Sequence, residues 1–411
     1  MKGVILCGGF GKEMLPLSTD IPKCSLIVQG IPIVQHVING LKSVDISDII
    51  VVVSDSGEPI IKYLKEIDSD LKFTVVKQTE NGVEGAILAA RNEIKDSHFF
   101  LAHGDIIAPI RFYQQLLRTF QTGGDGAISI TLKSSISDFG VIILDNSGFV
   151  NQVIEHPKAD KSDVGNYIGA GAYIFPQAFF DQLTVEKNSF DGSINNLIKS
   201  GATINASVFS EESLWMDIGT PFDLLTANNI LFSQYNDSRI SNLANISSRA
   251  HIEGPVIIEA GAKIDHGAIL KGPIYIGKNV YIGTNSLIRD HTSIEEECVI
   301  GYSVEITRSH IQPNVHIGRL SFVGDSIIGR NSSIKSGVTI VNELEKDTYL
   351  DVRGSIFNKA GVIIGPGASI GANSVLGPLN TIERNKEIRP GTVIIDQNQE
   401  KYQLKIKKRR N

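Results

Sequence analysis

Residues 252–306 read IEGPVIIEAGAKIDHGAILKGPIYIGKNVYIGTNSLIRDHTSIEEECVIGYSVEI. An aliphatic residue falls on every sixth position: Ile252, Ile258, Ile264, Leu270, Ile276, Ile282, Ile288, Ile294, Ile300 and Ile306. On an α-helix, six residues turn about 240° past a full circle, so these side chains would scatter over three faces. On an extended chain six is an even step, and all ten share one face. The positions two before them agree. Val256, Ala262, Ala268, Ile274, Val280, Ser286, Thr292, Cys298 and Val304 are small or β-branched and also point inward. This is the hexapeptide repeat of a parallel β-helix.

The pattern runs on through Ile311, Ile317 and Val323, then Ile328, Ile334 and Ile340, and returns from Ile364 to Ile394. The polar interval 342–355 reads as a loop leaving the coil. Ahead of residue 250 the period changes. Val4–Cys7, Ile49–Val53, Phe73–Val76 and Phe99–Ala102 read as buried strands, separated by amphipathic stretches such as Val34–Leu41 and Glu84–Ile94. Strand–helix alternation predicts a mostly parallel, Rossmann-like α/β sheet. Ala127–Leu132, Gly140–Leu144 and Ala170–Phe175 read as antiparallel additions to it.

Composition bounds the function. The chain has 411 residues, enough for two or three domains, with 42% apolar and 20% charged side chains. Its 39 basic and 45 acidic residues leave a net charge of −6, which supplies no footprint for nucleic-acid binding. No apolar run reaches the length of a membrane span or a signal-peptide core. Cys7, Cys24 and Cys298 form neither a disulfide framework nor a metal-ligand spacing. The expectation is a cytoplasmic protein. The stretch from Lys401 to Arg410 carries six basic residues and reads as a solvated tail.

After the first strand comes Gly8-Gly9-Phe10-Gly11-Lys12-Glu13-Met14-Leu15-Pro16-Leu17, then Pro22-Lys23. Glycines after a strand let backbone N–H groups turn toward phosphate oxygens, and a following lysine offers a point charge to the same anion. This stretch resembles the signature G-G-x-G-T-R-L-x-P-L-T, then P-K, of the sugar-1-phosphate nucleotidylyltransferases. The resemblance continues through Gln78, His103-Gly104-Asp105, Ile154-Glu155-His156-Pro157, Gly171-Ala172-Tyr173 and Trp215-Met216-Asp217-Ile218-Gly219-Thr220-Pro221.

The resemblance implies a reaction between a nucleoside triphosphate and a sugar 1-phosphate that releases pyrophosphate. It implies that Asp105 and Asp217 hold Mg²⁺ and that Lys23 neutralises the transferring phosphate. Gly8, Gly9 and Gly11 would line the phosphates, Gln78 and Gly82 the base, and Glu155 and Gly171 the sugar. Two departures stand out. Lys12 and Glu13 occupy the places of the signature's Thr and Arg, which sets a carboxylate where a guanidinium fork would grip the triphosphate. Gly82-Val83-Glu84 replaces the family's G-T-A, losing a hydroxyl and adding a charge. His156 stands where the family has a Lys.

The β-helix is similar to the left-handed β-helix of hexapeptide acyltransferases, and left-handedness follows from that similarity. Arg319-Leu320-Ser321-Phe322-Val323-Gly324-Asp325-Ser326 resembles the H-L-S-Y-V-G-D-S of the bifunctional uridylyl/acetyltransferases, especially their archaeal relatives, and Asn342 matches a later Asn. The motif's His, a general base, is Arg319 here, and arginine stays protonated. His310 and His316 read as exposed coil histidines out of register with it.

The sequence therefore predicts a nucleotidyltransferase domain over 1–235, a linker over 236–250 reached through a helix from Pro221 to about Gln234, a left-handed β-helix over 251–395 and a basic tail over 396–411. Its expected activity is nucleotidyl transfer, weakened by Lys12 and Glu13. A non-catalytic nucleotide-sugar-binding subunit and a bifunctional enzyme retaining acetyl transfer are the alternatives. Expected partners are the two substrates and further copies of the chain, assembled as a trimer through the β-helix, with no nucleic acid and no membrane.

Overall fold

The computed structural model describes residues 1–411 except 10, 68–69, 134–138, 155–165, 184–188, 396–404 and 409–411. The chain divides into two compact units: Met1–Phe10, Asp20–Ser25 and Ile33–Asp217 in the first, and Gly11–Thr19, Leu26–Pro32 and Ile218–Asn411 in the second. Two short N-terminal segments thus belong with the C-terminal half, which a single boundary near residue 235 does not anticipate.

The first unit is built on one sheet. Strands His98–His103, Lys2–Cys7, Asp48–Val53 and Lys72–Lys77 run parallel in that spatial order. Tyr167–Pro176 adds antiparallel beside His98–His103, followed by Val141–Leu144 and Val150–Ile154. Gly126–Leu132 pairs antiparallel with Tyr167–Pro176 and parallel with Ile204–Phe209. The apolar runs of His98–His103, Lys2–Cys7 and Asp48–Val53 are continuous because both faces of these strands are covered, whereas Lys72–Lys77, expected to be buried over 73–76, is an edge strand with no fully buried residue. Ile5, Val51 and Val53 pack with Val34, Ile38, Phe112 and Leu116 on one side, while Val4, Ile50 and Val52 pack with Ala86 and Ile87 on the other. The predicted helix Glu84–Ile94 is shorter than expected: it spans Gly82–Ala89, and Arg91–Glu93 forms a separate 3₁₀ turn.

The second unit is a three-sided prism of parallel strands, the arrangement of a left-handed parallel β-helix. Each coil contributes one short strand to each of three eight-stranded sheets. Residues six apart therefore fall on successive faces with the same inward direction, and the stacked Ile258, Ile276 and Ile294 are in register. Nine of the ten residues of the repeat are buried in one core, and Ile252 is partly buried against it. The small inward polar residues are satisfied locally: Ser286 Oγ donates to Gly301 O at 2.8 Å and Thr292 Oγ1 to Arg289 O at 2.6 Å. The corners need left-handed backbone, and one column of them runs Gly261, Asn279, Glu297, Asn314 and Asn331, with φ between 55° and 74°.

Three expectations are corrected. The supposed linker 236–250 supplies strands Arg239–Ile240 and Asn245–Ile246, which open two of the faces. The interval after Asn342 is not simply a loop: Thr348–Val352 and Ser355–Phe357 form an antiparallel hairpin outside the coil. The basic tail is not free throughout, because Lys405–Lys408 pairs antiparallel with Thr348–Val352.

One face of the prism carries Ile257, Tyr275, Ser293, His310 and Ile327 outward, and all five are buried. Helix Asp223–Phe232, the expected helical segment, and the hairpin Ile27–Pro32 cover it. His310 is accordingly not an exposed coil histidine. Its Nε2 donates to Ile27 O and its Nδ1 accepts from Asn228 Nδ2, each at 3.0 Å. Burial pushes its pKa down to about 4. At the hairpin tip, the Glu295 carboxylate accepts the backbone N–H of Gln29 at 3.0 Å and of Gly30 at 2.8 Å, and the Ser293 hydroxyl at 2.7 Å.

Candidate active site

In open α/β sheets, ligands bind beyond the carboxyl ends of the strands where the strand order reverses. Here that point lies between Lys2–Cys7, whose end leads into Gly8-Gly9, and His98–His103, whose end leads into Gly104-Asp105. The turn cannot carry side chains everywhere. A Cβ on Gly8 would lie 1.9 Å from Gln78 Oε1, and one on Gly104 would lie 2.5 Å from Cys7 Sγ. Gly9 faces open space. Gln78 is held by its own amide, which donates to Glu80 O at 2.9 Å. Gly8, Gly9, Lys23, Gln78, Gly82, His103 and Asp105 line a common cavity of about 280 Å³.

Asp217 comes from far along the chain. Strand Met216–Asp217 pairs antiparallel with Ile106–Ile107, setting Asp217 opposite Ile106 and so beside Asp105. Lys23 Nζ and Asp105 Oδ2 form an ion pair. Burial works against both charges. The Asp105 carboxylate outweighs it and holds the Lys23 ammonium above its ordinary pKa, while Lys23 holds Asp105 below the usual carboxylate range. Both groups are therefore charged near neutral pH. Asp105 Oδ1 is buried and has no hydrogen-bond partner among the described residues. The thiols of Cys7 and Cys24 are hydrogen-bonded to each other; that bond and burial push the Cys7 pKa up.

A second cavity of about 270 Å³ is lined by Gly171, Asp191, Asp217 and an aromatic wall of Phe139, Tyr173, Phe190 and Trp215. Gly171 sits at φ 75° where the pairing of Tyr167–Pro176 with Gly126–Leu132 shifts register. A Cβ there would lie 2.7 Å from Ile106 Cδ1. Trp215 is fixed by its Nε1–H, which donates to Ala170 O at 3.0 Å. Sequence reasoning missed the aromatic wall and Asp191. Their spacing carries no periodic signal, because a cavity lining is assembled from separate strands and helices.

Glu155, with His156, lies outside the described residues. Gly11, at φ 55°, and the exposed Lys12 and Glu13 fall in the second unit, where Lys12–Met14 forms a 3₁₀ turn anchored by the buried Met14. In the β-helix, Arg289, Arg308, Phe322, Asn342 and Lys359 line a cavity of about 330 Å³. Arg319 is not among its lining residues; it is exposed and lies over the Tyr302 ring at 5.7 Å. Arg289 pairs with Glu305 at 2.7 Å and with Asp290, and Arg308 pairs with Asp325 at 2.7 Å.

Residues 2–234 match the family model described as nucleotidyl transferase, and residues 270–360 match that of the GMPPB C-terminal domain. The chain is 33% identical over 401 residues to the bifunctional protein GlmU of Methanococcus aeolicus, spanning 92% of this chain and 93% of that one. It is 30% identical over 411 residues to a bifunctional sugar-1-phosphate nucleotidylyltransferase/acetyltransferase of Sulfurisphaera tokodaii, spanning 96% and 97%. It is 28% identical over 371 residues to mannose-1-phosphate guanylyltransferase 1 of Arabidopsis thaliana, spanning 89% and 96%. A UDP-glucose pyrophosphorylase complexed with UDP-glucose shares the fold over 57% of this chain and 99% of its own, with a TM-score of 0.50 and 17% identity. With a family match across more than half its length and relatives that align over nearly all of it, this chain belongs to the sugar-1-phosphate nucleotidylyltransferases.

Proposed function

We propose that the chain itself catalyses nucleotidyl transfer: a phosphate oxygen of a sugar 1-phosphate attacks the α-phosphorus of a nucleoside triphosphate, and pyrophosphate leaves with the electrons of the broken bond. The observation that carries this is the meeting of Lys23, Asp105 and Asp217 at the strand-order reversal, with Gly8 and Gly9 lining the same cavity as Lys23 and Asp105. Such chemistry depends on positioning and charge neutralisation. Lys23 supplies a fixed positive charge to the transferring phosphate. Gln78 and Gly82 take the base, while Gly171 and Glu155 take the sugar.

Asp105 and Asp217 fit a Mg²⁺ ion. Two adjacent carboxylates, one with a buried oxygen left over, suit a cation that completes its shell with water and substrate phosphate. Among the described residues no group of three or more His, Cys, Asp or Glu side chains could hold a metal, so these two would share it with substrate. Bound there, the ion would neutralise phosphate charge and orient the triphosphate.

Turnover is slow in this reading, because Lys12-Glu13 replaces the family's Thr-Arg. Acetyl transfer is absent, because Arg319 replaces the base and the cavity arginines are already paired with carboxylates. The β-helix unit assembles as a trimer through the faces left uncovered by helix Asp223–Phe232. Among the described residues no helix is long and apolar enough to cross a membrane. The decisive experiment screens four nucleoside triphosphates against several sugar 1-phosphates for Mg²⁺-dependent pyrophosphate release. Release that Asp105→Asn abolishes supports the reading. No release from any pair refutes it in favour of a non-catalytic nucleotide-sugar-binding subunit.

A further inference from the structure

The hairpin that leaves the coil after Asn342 turns at Arg353-Gly354, both in left-handed backbone, at φ 50° and 89°. A two-residue hairpin loop asks for that conformation, and Asn, Asp or Gly is its usual first residue. Arginine there carries a steric cost, which persists only where the surroundings hold the residue in place. Here they do. The Arg353 side chain is 16% exposed, and its Nη1 lies 3.4 Å from Oδ2 of Asp223, which is 1% exposed. The same Oδ2 accepts the backbone N–H of Gly219 at 2.9 Å and of Thr220 at 2.7 Å. A Cβ on Gly219 would collide with the guanidinium, so only glycine lets the arginine pack against this turn. Phe357 of the same hairpin meets Phe222, with ring centroids 5.8 Å apart. All these residues belong to the second unit.

The chain itself carries the effect to Asp217, which precedes Gly219 by two peptide bonds. Ile218 between them is fully buried, so the connection has no slack. Upstream, the ladder that holds Asp217 is two residues long. A ladder so short leaves the direction of the carboxylate to the turn that follows. Resting on the nucleotidyl-transfer reading, we propose that Arg353 is a positioning residue. It holds Asp223, Asp223 holds the Gly219-Thr220 turn, and the turn holds Asp217 in place for Mg²⁺. A buried carboxylate without its cation is costly. Loss of the guanidinium therefore turns Asp223 toward water and releases the two N–H groups. Groups that orient a metal's ligands are typically worth about 10–100-fold in its affinity. An insert in the prism thus sets how tightly the transferase site takes its metal.

The test uses the full chain carrying Arg353→Gly, which suits the left-handed turn and removes the guanidinium, and Arg353→Lys, which keeps the charge. Mn²⁺ is the probe, its binding read from loss of the free-ion electron paramagnetic resonance signal, and Asp105→Asn marks the binding that belongs to this site. Arg353→Gly should weaken that binding about tenfold, and Arg353→Lys should recover most of it. Hydrogen exchange at the Gly219 and Thr220 amides should quicken in Arg353→Gly, while the central strand Asp48–Val53 keeps its protection. Unchanged Mn²⁺ affinity, or a loss of protection shared by that strand, overturns the proposal. Arg353→Gln, whose neutral amide still reaches toward Asp223, takes the place of Arg353→Gly if that variant does not fold, and the same outcomes decide. With pyrophosphate release as readout, the Mg²⁺ concentration for half-maximal rate should rise about tenfold in Arg353→Gly. A fall in rate with that concentration unchanged overturns the proposal. Weakened Mn²⁺ binding in a chain that releases no pyrophosphate from any substrate pair upholds Arg353 and refutes nucleotidyl transfer.

Discussion

Replacing Glu295 with glutamine should remove a pH dependence of stability that the β-helix unit owes to one carboxylate. Glu295 is fully buried beneath the hairpin Ile27–Pro32. Burial raises its pKa from the ordinary 4.5 to about 7, against the pull of the Ser293 hydroxyl and the Gly30 and Gln29 N–H groups, with Glu296 adding to the rise. Below pH 4.5 both folded and unfolded chains hold the proton. Between 4.5 and about 7 only the unfolded chain releases it, so stability falls as pH rises, and above that window the loss is complete. At about 1.4 kcal/mol per pH unit, the full loss is about 3 kcal/mol, of which about 2.5 kcal/mol falls between pH 5 and pH 8. Glutamine cannot titrate. It keeps one acceptor but turns an N–H₂ toward backbone N–H groups, a mismatch costing about 1–3 kcal/mol at every pH. The difference in stability between Glu295→Gln and the unaltered chain should therefore shift by about 2.5 kcal/mol in the variant's favour from pH 5 to pH 8. Urea unfolding at both pH values measures it, with hydrogen exchange at the Gln29 and Gly30 amides reporting the hairpin locally. An identical difference at the two pH values would refute the reasoning.

Glu13→Arg, restoring the signature's cation, should raise pyrophosphate release by about 10²-fold or more, since a carboxylate near phosphate and a lost charge-assisted bond together amount to several kcal/mol. An unaltered chain turning over near 10 s⁻¹ with no gain from Glu13→Arg would show that Lys12 or another group has taken over. Acetyl-CoA with glucosamine 1-phosphate should give no thiol release above background; robust release lost in Arg319→Ala would contradict that. Leu320 holds a left-handed corner at φ 59°, where its equivalents are Gly, Asn or Ser, and its side chain is 61% exposed. Leu320→Gly should raise stability by about 1 kcal/mol, and a fall in thermal midpoint would count against it.

How much could be read in advance follows from how each feature is encoded. Every coil places Ile, Leu or Val in the same environment, so the six-residue period was legible along the whole prism. Lys23, Asp105 and Asp217 could be picked out by their place in motif order, and they meet because strand Met216–Asp217 returns to Ile106–Ile107. The covered prism face could not be read this way. Glu295-Glu296-Glu297 looks like a solvated acidic run, yet only Glu295 points under the hairpin, while its neighbours are exposed at the corner. His310 looked like its exposed counterpart His316 because both precede an inward Ile; what separates them is which face of the prism receives a helix. Nor does composition show that Lys405–Lys408 will find an edge at Thr348–Val352.

On the prism face where Ile328 stacks directly on Ile364, the chain travels 36 positions between them; Ile276 and Ile294, also stacked, are 18 apart. The extra residues leave at Asn342, fold a hairpin of their own, and re-enter without disturbing the ladder above. A stack of this kind tolerates cargo: a corner can be opened, loaded and closed because neighbouring rungs hold the register. The same corner is therefore the natural place to graft a foreign segment, such as an epitope or a reporter, and a graft there should leave the rungs on either side intact.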